Sequence, residues 1–181
     1  MPYEPPPELA GLSLTEIANL VAARKLPPVA DWAPAEVSES HMVIQADGRW
    51  FHEGGEITRP AMVRAFSSLL LRDSSGVHWL VTPTQKLRID VVDAPFIAVD
   101  VVHKNNSLAF RLNTDDIVIA GPDYPLHATG DADTPALYLA VRNGCKARLN
   151  RSTYAQLAEI ALEGGEWSVT SEGMRFPLVP A

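Results

Sequence analysis

Residues 57–70, ITRPAMVRAFSSLL, and residues 149–162, LNRSTYAQLAEIAL, match position for position in character. Each opens on a polar cap candidate, Thr58 or Asn150, then an arginine, Arg59 or Arg151, then apolar residues at i, i+3, i+4, i+7 and i+8. These are Met62, Ala65, Phe66, Leu69 and Leu70 in the first copy, and Tyr154, Leu157, Ala158, Ala161 and Leu162 in the second. The spacing predicts helices over 59–71 and 151–162. Both run through a loop into a tryptophan strand, HWLVT at 78–82 and EWSVT at 166–170, so the order strand, helix, Trp strand, final strand occurs twice. A duplicated body has an interface between its copies, and a ligand site is expected there.

Outward from these stretches, the chain reads as an α+β protein of duplicated helix-plus-antiparallel-sheet units. Residues 1–40 form a proline-rich arm (2–7) and a helix that packs on the core. That helix starts at Ser13 with Glu16 three residues on, the capping-box spacing; its stripe is Ile17, Leu20 and Val21, and Arg24 and Lys25 fall in its last turn. Pro27 and Pro28 stop it, and Trp32 covers an end of the core. The first lobe, 41–94, opens with strand 42–46, an Asp47-Gly48 turn and strand 49–52, and continues after its helix with strands 77–82 and 86–92. In the last of these Leu87, Ile89 and Val91 alternate with Lys86, Arg88 and Asp90, which gives the sheet a wet, partly basic face. The second lobe, 95–181, has strands at 95–103, 107–112, 116–120, 135–142 and 145–149, with turns at Asn105-Asn106, Thr114-Asp115 and Asn143-Gly144 and a polar connection over 121–134. Strands 166–170 and 174–179 follow its helix. Neither βαβ spacing nor a Gly-rich phosphate loop is visible.

The 181 residues carry 22 acidic and 15 basic side chains, a formal net charge of -7 that repels a phosphate backbone and argues against long nucleic acid as a partner. The single Cys145 excludes an intramolecular disulfide. No apolar run reaches membrane-spanning length and the amino terminus lacks signal-peptide character, so a cytoplasmic protein without membrane association is expected.

Catalytic spacings are missing. The five histidines, at 41, 52, 78, 103 and 127, form no metal-binding pattern, no G-x-S-x-G surrounds a serine, and Cys145 reads as a core residue, so no catalytic residue, metal or cofactor is assigned. Asp90, Asp93 and Asp100 fall on consecutive extended segments, where two carboxylates close together would raise one pKa for acid–base work; pairing with Lys86 or Arg88 and an Asx turn at Asp93 is the competing reading. Arg59 and Arg151 sit at helix starts, where a positive charge opposes the helix dipole and calls for a compensating group. That group is either internal, such as Glu53 or Glu56, or an anionic ligand, with Arg49, Arg64, Lys86 and Arg88 extending a positive patch and Thr82 adding a hydroxyl.

Residues 47–96 combine a G-R-W strand at Gly48-Arg49-Trp50, G-x-I-x-R from Gly55 to Arg59, T-P-x-x-K from Thr82 to Lys86, and Asp93-Ala94-Pro95-Phe96. This combination resembles the bacterial family called domain of unknown function 1285, and the likeness extends more weakly over about residues 25 to 165. The resemblance implies a duplicated core, a C-terminal lobe superficially like pleckstrin-homology folds, a site for a nucleotide-like ligand at the lobe interface, and a link to signalling. Carried over by motif, it points to Trp50, Arg59, Thr82, Pro83, Lys86, Asp93 and Phe96, with Asn113 from the facing lobe; the basic strand face, read from alternation, adds Arg88 to these candidates. Gln85 stands where the family usually has glutamate. The leading expectation is a non-enzymatic sensor or adaptor for a small anionic ligand. A hydrolase acting on a phosphorylated small molecule and a protein-interaction scaffold stand as alternatives, and a homodimer would cover apolar edges that two small lobes leave.

Overall fold

The structure, a computed structural model, describes residues 8–180; the proline-rich arm at 2–7 lies outside them. Helix α1 (Leu14–Ala23) begins as its capping box predicts. The Ser13 hydroxyl accepts the Glu16 amide at 3.1 Å and the Glu16 carboxylate accepts the Ser13 amide at 3.2 Å. Leu9, Leu12 and Ile17 are buried against Ala109, with Leu20, Val102, Ile117 and Ile119 around them, so this first segment packs on the second lobe. Val21 departs from the expected stripe and is 38% exposed. Arg24 stands just past the helix as its C-cap.

The first sheet is built from β1 (Glu36–Ile44), β2 (Trp50–His52), β3 (Gly55–Ile57), β4 (Leu70–Arg72), β5 (His78–Val81) and β6 (Gln85–Val91), in the spatial order β3-β2-β1-β6-β5-β4. Two three-stranded meanders meet where β1 and β6 pair in parallel. The β1–β2 hairpin is the one expected, with Gly48 at φ +89° supplying the conformation its turn needs. β1 starts earlier than Met42, because Glu36 to Glu39 pair with Gln85 to Arg88 before a bulge around Ser40 and His41.

Helix α2 (Pro60–Ser67) is shorter than predicted, and its cap is Arg59 rather than Thr58. Proline has no amide hydrogen and takes the first helical position, which shifts the cap to the residue before it. At the other end the hydroxyls of Ser67 and Ser68 accept nothing from the helix and instead donate to the carbonyls of Arg64 and Ala65, at 2.7 and 2.5 Å. Such back-bonding competes with helix continuation. Leu70 then pairs with Leu80, so Leu69 and Leu70 belong to the approach and start of β4, and Val63, Phe66 and Leu69 pack on the core in place of Met62 and Ala65.

The second sheet holds β7 (Phe96–Lys104), β8 (Ser107–Leu112), β9 (Ile117–Ile119), β10 (Leu126–Gly130), β11 (Pro135–Ala140) and β12 (Lys146–Leu149), in the order β10-β11-β12-β7-β8-β9. Its winding repeats the first: the opening strand lies centrally and the sixth returns beside it in parallel. β10 falls within the polar connection expected at 121–134; only Leu126 and Ala128 point inward there, too short an alternation to stand out. Helix α3 (Arg151–Glu163) follows, capped by Asn150, whose side chain accepts the Thr153 amide at 2.8 Å. The β13 (Ser168–Ser171) and β14 (Met174–Pro177) hairpin closes the chain.

The protein is therefore a mixed α+β fold of two similar sheet-plus-helix units. The helices enter the repeat at different points, α2 between the third and fourth strands and α3 after the sixth. Trp79 accordingly lies inside the first sheet, whereas Trp167 precedes the separate terminal hairpin and is 40% exposed. The local match between the helical stretches is real in pattern but does not align the two windings. One continuous core, from Ile44, Trp50 and Leu70 to Phe110, Leu139 and Phe176, joins both units.

Candidate functional site

The junction between the lobes is made by turns that dock across it. A Cβ on Gly48 would lie 2.7 Å from the Ile97 side chain and 2.8 Å from that of Asn113, so the bare β1–β2 turn fits against the second lobe only as glycine. In the opposite direction Gly144, at φ +76°, lies where a Cβ would come within 2.7 Å of the Arg72 carbonyl oxygen, and the Asn143 amide donates to the Leu70 carbonyl at 3.3 Å. Asn113 is itself held by the Ile97 backbone, accepting from its amide at 3.0 Å.

Behind this junction lies Asp116, 4% exposed. Arg24 from the end of α1 approaches it at 2.6 Å, Arg142 from the β11–β12 turn at 3.3 Å and Arg64 from α2 at 3.8 Å, and the Thr114 hydroxyl donates to it at 2.5 Å. Burial pushes its pKa up, but the Arg142 charge, the Thr114 hydroxyl and Arg24 outweigh burial and hold the carboxyl below its ordinary value. Arg142 also donates to the Ser67 carbonyl at 3.2 Å and stacks over Phe96, 4.9 Å from its ring centre. In the sequence Arg24 shows only as a helix-end cation, and no local spacing marks Asp116 or Arg142.

Among the described residues, a larger and a smaller cavity open along the junction. The larger, about 710 Å³, runs from Ala46 and Asp47 of the β1–β2 turn across Ile97, Val99 and Asn113 to Arg148, Asn150, Arg151 and Tyr154. The smaller, about 280 Å³, lies between Gly48, Arg49, Trp50 and Glu56 on one side and Asn113, Thr114 and Asp115 on the other. Asn113 lines both.

Of the residues singled out from sequence, Trp50 and Asn113 line these cavities, although Trp50 is only 1% exposed and stacks on Phe66. Asp93 accepts from the Tyr138 hydroxyl at 2.7 Å and Arg148 at 2.8 Å, beside the larger cavity. Phe96 is fully buried beneath Arg142. Arg59, Thr82, Pro83, Lys86 and Arg88 line neither cavity. Arg59 is exposed, and its guanidinium makes no bond among the described residues; as a cap it also lies outside the helical turn whose dipole was expected to demand a partner. Thr82 closes the β5–β6 turn by accepting the Gln85 amide at 3.0 Å, Lys86 lies over the Trp79 ring at 4.2 Å, and Arg88 pairs with Asp90 at 3.1 Å and Glu39 at 3.7 Å. Arg151 is exposed at the start of α3, where the dipole argument does apply.

The carboxylates considered for acid–base work are separately engaged: Asp90 with Arg88, Asp93 with Tyr138 and Arg148, and Asp100 with the Val101 amide at 2.9 Å. Burial pushes the Cys145 thiol up to about 12, which suits a core residue. Among the described residues no group of three His, Cys, Asp or Glu is arranged to hold a metal ion, and no helix is long and apolar enough to cross a membrane.

A two-lobed α+β body with a polar junction defines the class, and comparison with known proteins gives it a family. Residues 27–94 match the N-terminal domain of unknown function DUF1285 and residues 95–178 match the C-terminal domain of the DUF1285 proteins of unknown function. The chain belongs to the DUF1285 family. A DUF1285 family protein from Silicibacter pomeroyi DSS-3 is 36% identical, with 93% of this chain and 96% of that one covered at a TM-score of 0.77. Another, from Shewanella baltica OS155, is 23% identical over 65% of this chain and 90% of that one, at a TM-score of 0.55, a likeness of fold. No curated protein matches.

Proposed function

We propose that this protein is a non-enzymatic binding module for a small anionic, nucleotide-like ligand, held in the inter-lobe groove and read out in signalling. The observation that carries the reading is the groove of about 710 Å³ on the second lobe, edged by Ala46 and Asp47 of the first, that holds Arg148 of β12 and Arg151 at the positive end of α3. Its size falls in the range of small-molecule sites, and its mixture of apolar wall (Ile97, Val99, Tyr154) with amide and guanidinium donors (Asn113, Arg148, Arg151) suits a flat ring carrying an anionic group. Of the two arginines Arg151 is the freer, since Arg148 is engaged by Asp93. The run of six strands followed directly by α3 supports a pleckstrin-homology-like description of the second lobe. Calorimetric titration with nucleoside mono- and diphosphates tests the proposal. Saturable binding that weakens about tenfold in Arg151→Ala, the loss of one charge-assisted contact, is expected. Absence of binding across the nucleotide set, or equal affinity in a folded Arg151→Ala variant, overturns it.

A further inference from the structure

A third cavity, of about 230 Å³, lies apart from the groove, between α1, β9 and the end of β11. Its base contains the Asp116 cluster. Arg24 and Arg142 both line it and both pair with Asp116, which Arg64 also approaches at 3.8 Å, so guanidiniums outnumber the carboxylate. Neither arginine has another ion pair among the described residues. Arg24 Nη2 and Arg142 Nε are buried donors without a hydrogen-bond partner, although buried N–H groups are ordinarily satisfied. The mouth has the opposite character: Val21, Leu26 and Tyr124 are 38%, 39% and 39% exposed around it. Exposed apolar side chains gathered at the rim of a cationic pit are the complement of an amphiphile.

We infer that this cavity binds a small organic carboxylate, its head on Arg24 and Arg142 and its hydrocarbon tail against Val21, Leu26 and Tyr124. Three observations select that chemistry. Guanidiniums outnumber the Asp116 carboxylate and favour an anion, and the apolar rim of Val21, Leu26 and Tyr124 favours one with a hydrocarbon tail over inorganic phosphate. The planar guanidinium fork suits a carboxylate. The volume equals that of roughly eight water molecules, room for a head and a short chain. The inference is independent of the inter-lobe groove and shares no lining residue with it.

Methyl NMR of the full chain titrated with hexanoate tests it, with hexan-1-ol as the uncharged counterpart and inorganic phosphate as the tailless anion. Hexanoate should saturably shift the methyls of Val21, Ile117, Ile119 and Val141, at concentrations at least about tenfold below hexan-1-ol, while phosphate leaves them unmoved. Val21→Glu, a change at an exposed helix position that retains the fold, should weaken hexanoate at least about tenfold by placing a carboxylate at the mouth. Arg24→Gln should bring hexanoate to the level of hexan-1-ol, and if that variant fails to fold the Val21→Glu comparison decides alone. Equal affinity for the acid and the alcohol, a phosphate response matching that of hexanoate, an unaltered Val21→Glu, or no saturable shift at tens of millimolar would each overturn the inference.

Discussion

Asp116 draws Arg24, Arg64 and Arg142 from three separate parts of the chain, and its substitution is the most damaging single change expected at the junction. Asp116→Asn keeps the shape but takes the buried counter-charge from three partly buried guanidiniums. Breaking a buried pair in this way costs about 3–5 kcal/mol, which urea denaturation would register as a lowered midpoint. The same residue sets an acid limit. Its folded pKa lies below the ordinary carboxylate value near 4, so the unfolded chain binds the proton more readily. The stabilisation is fully present above about pH 4 and is lost as pH falls through the depressed folded value. Stability measured in that acid window should fall more steeply in the wild type than in Asp116→Asn. None of this was legible in linear spacing, because Arg24 and Asp116 are 92 positions apart and nothing local marks them as partners.

Elements were legible where the backbone itself demands a residue type. Asp47-Gly48 and Asn105-Asn106 were read as turns because Gly and Asn tolerate positive φ, and Gly48, Asn105 and Asn106 adopt it, at +89°, +48° and +64°. Ser13 and Asn150 were read as caps because a short polar side chain satisfies free amides there, and Ser13→Ala should cost about 1 kcal/mol, visible as faster amide exchange in α1. Helical periodicity over Leu69 and Leu70 misled because an apolar pair fits a short strand as well as a helix, and only pairing with β5 decides between them. Docking turns give a sharper test. Gly144→Ala and Gly173→Ala impose a side chain at nearly the same φ, +76° and +78°, but only Gly144 faces a backbone oxygen. The alanine at 173 should cost about 1 kcal/mol and that at 144 some 2 kcal/mol or more, a difference that thermal unfolding of the two variants would resolve.

At the scale of the molecule, the two windings share one core and the Asp116 cluster ties α1, α2 and the β11–β12 turn together. Heat or urea should therefore unfold both lobes in one transition, with tryptophan fluorescence (Trp32 ahead of the first lobe, Trp50 and Trp79 within it, Trp167 in the second) coinciding with far-ultraviolet circular dichroism. Two separate midpoints would mean that the shared core does not couple them. The parallel pairings have a kinetic consequence. Each sheet is completed only when its sixth strand meets its first, Gln85 beside Glu36 and Ala147 beside Phe96, so neither can be finished by neighbours in sequence. Such non-local closures slow folding. Helix α1 is bound by the same order of events: its resting place is the face of β7, β8 and β9, so on the ribosome it must wait, capped but undocked, until residues up to Ile119 have followed it out.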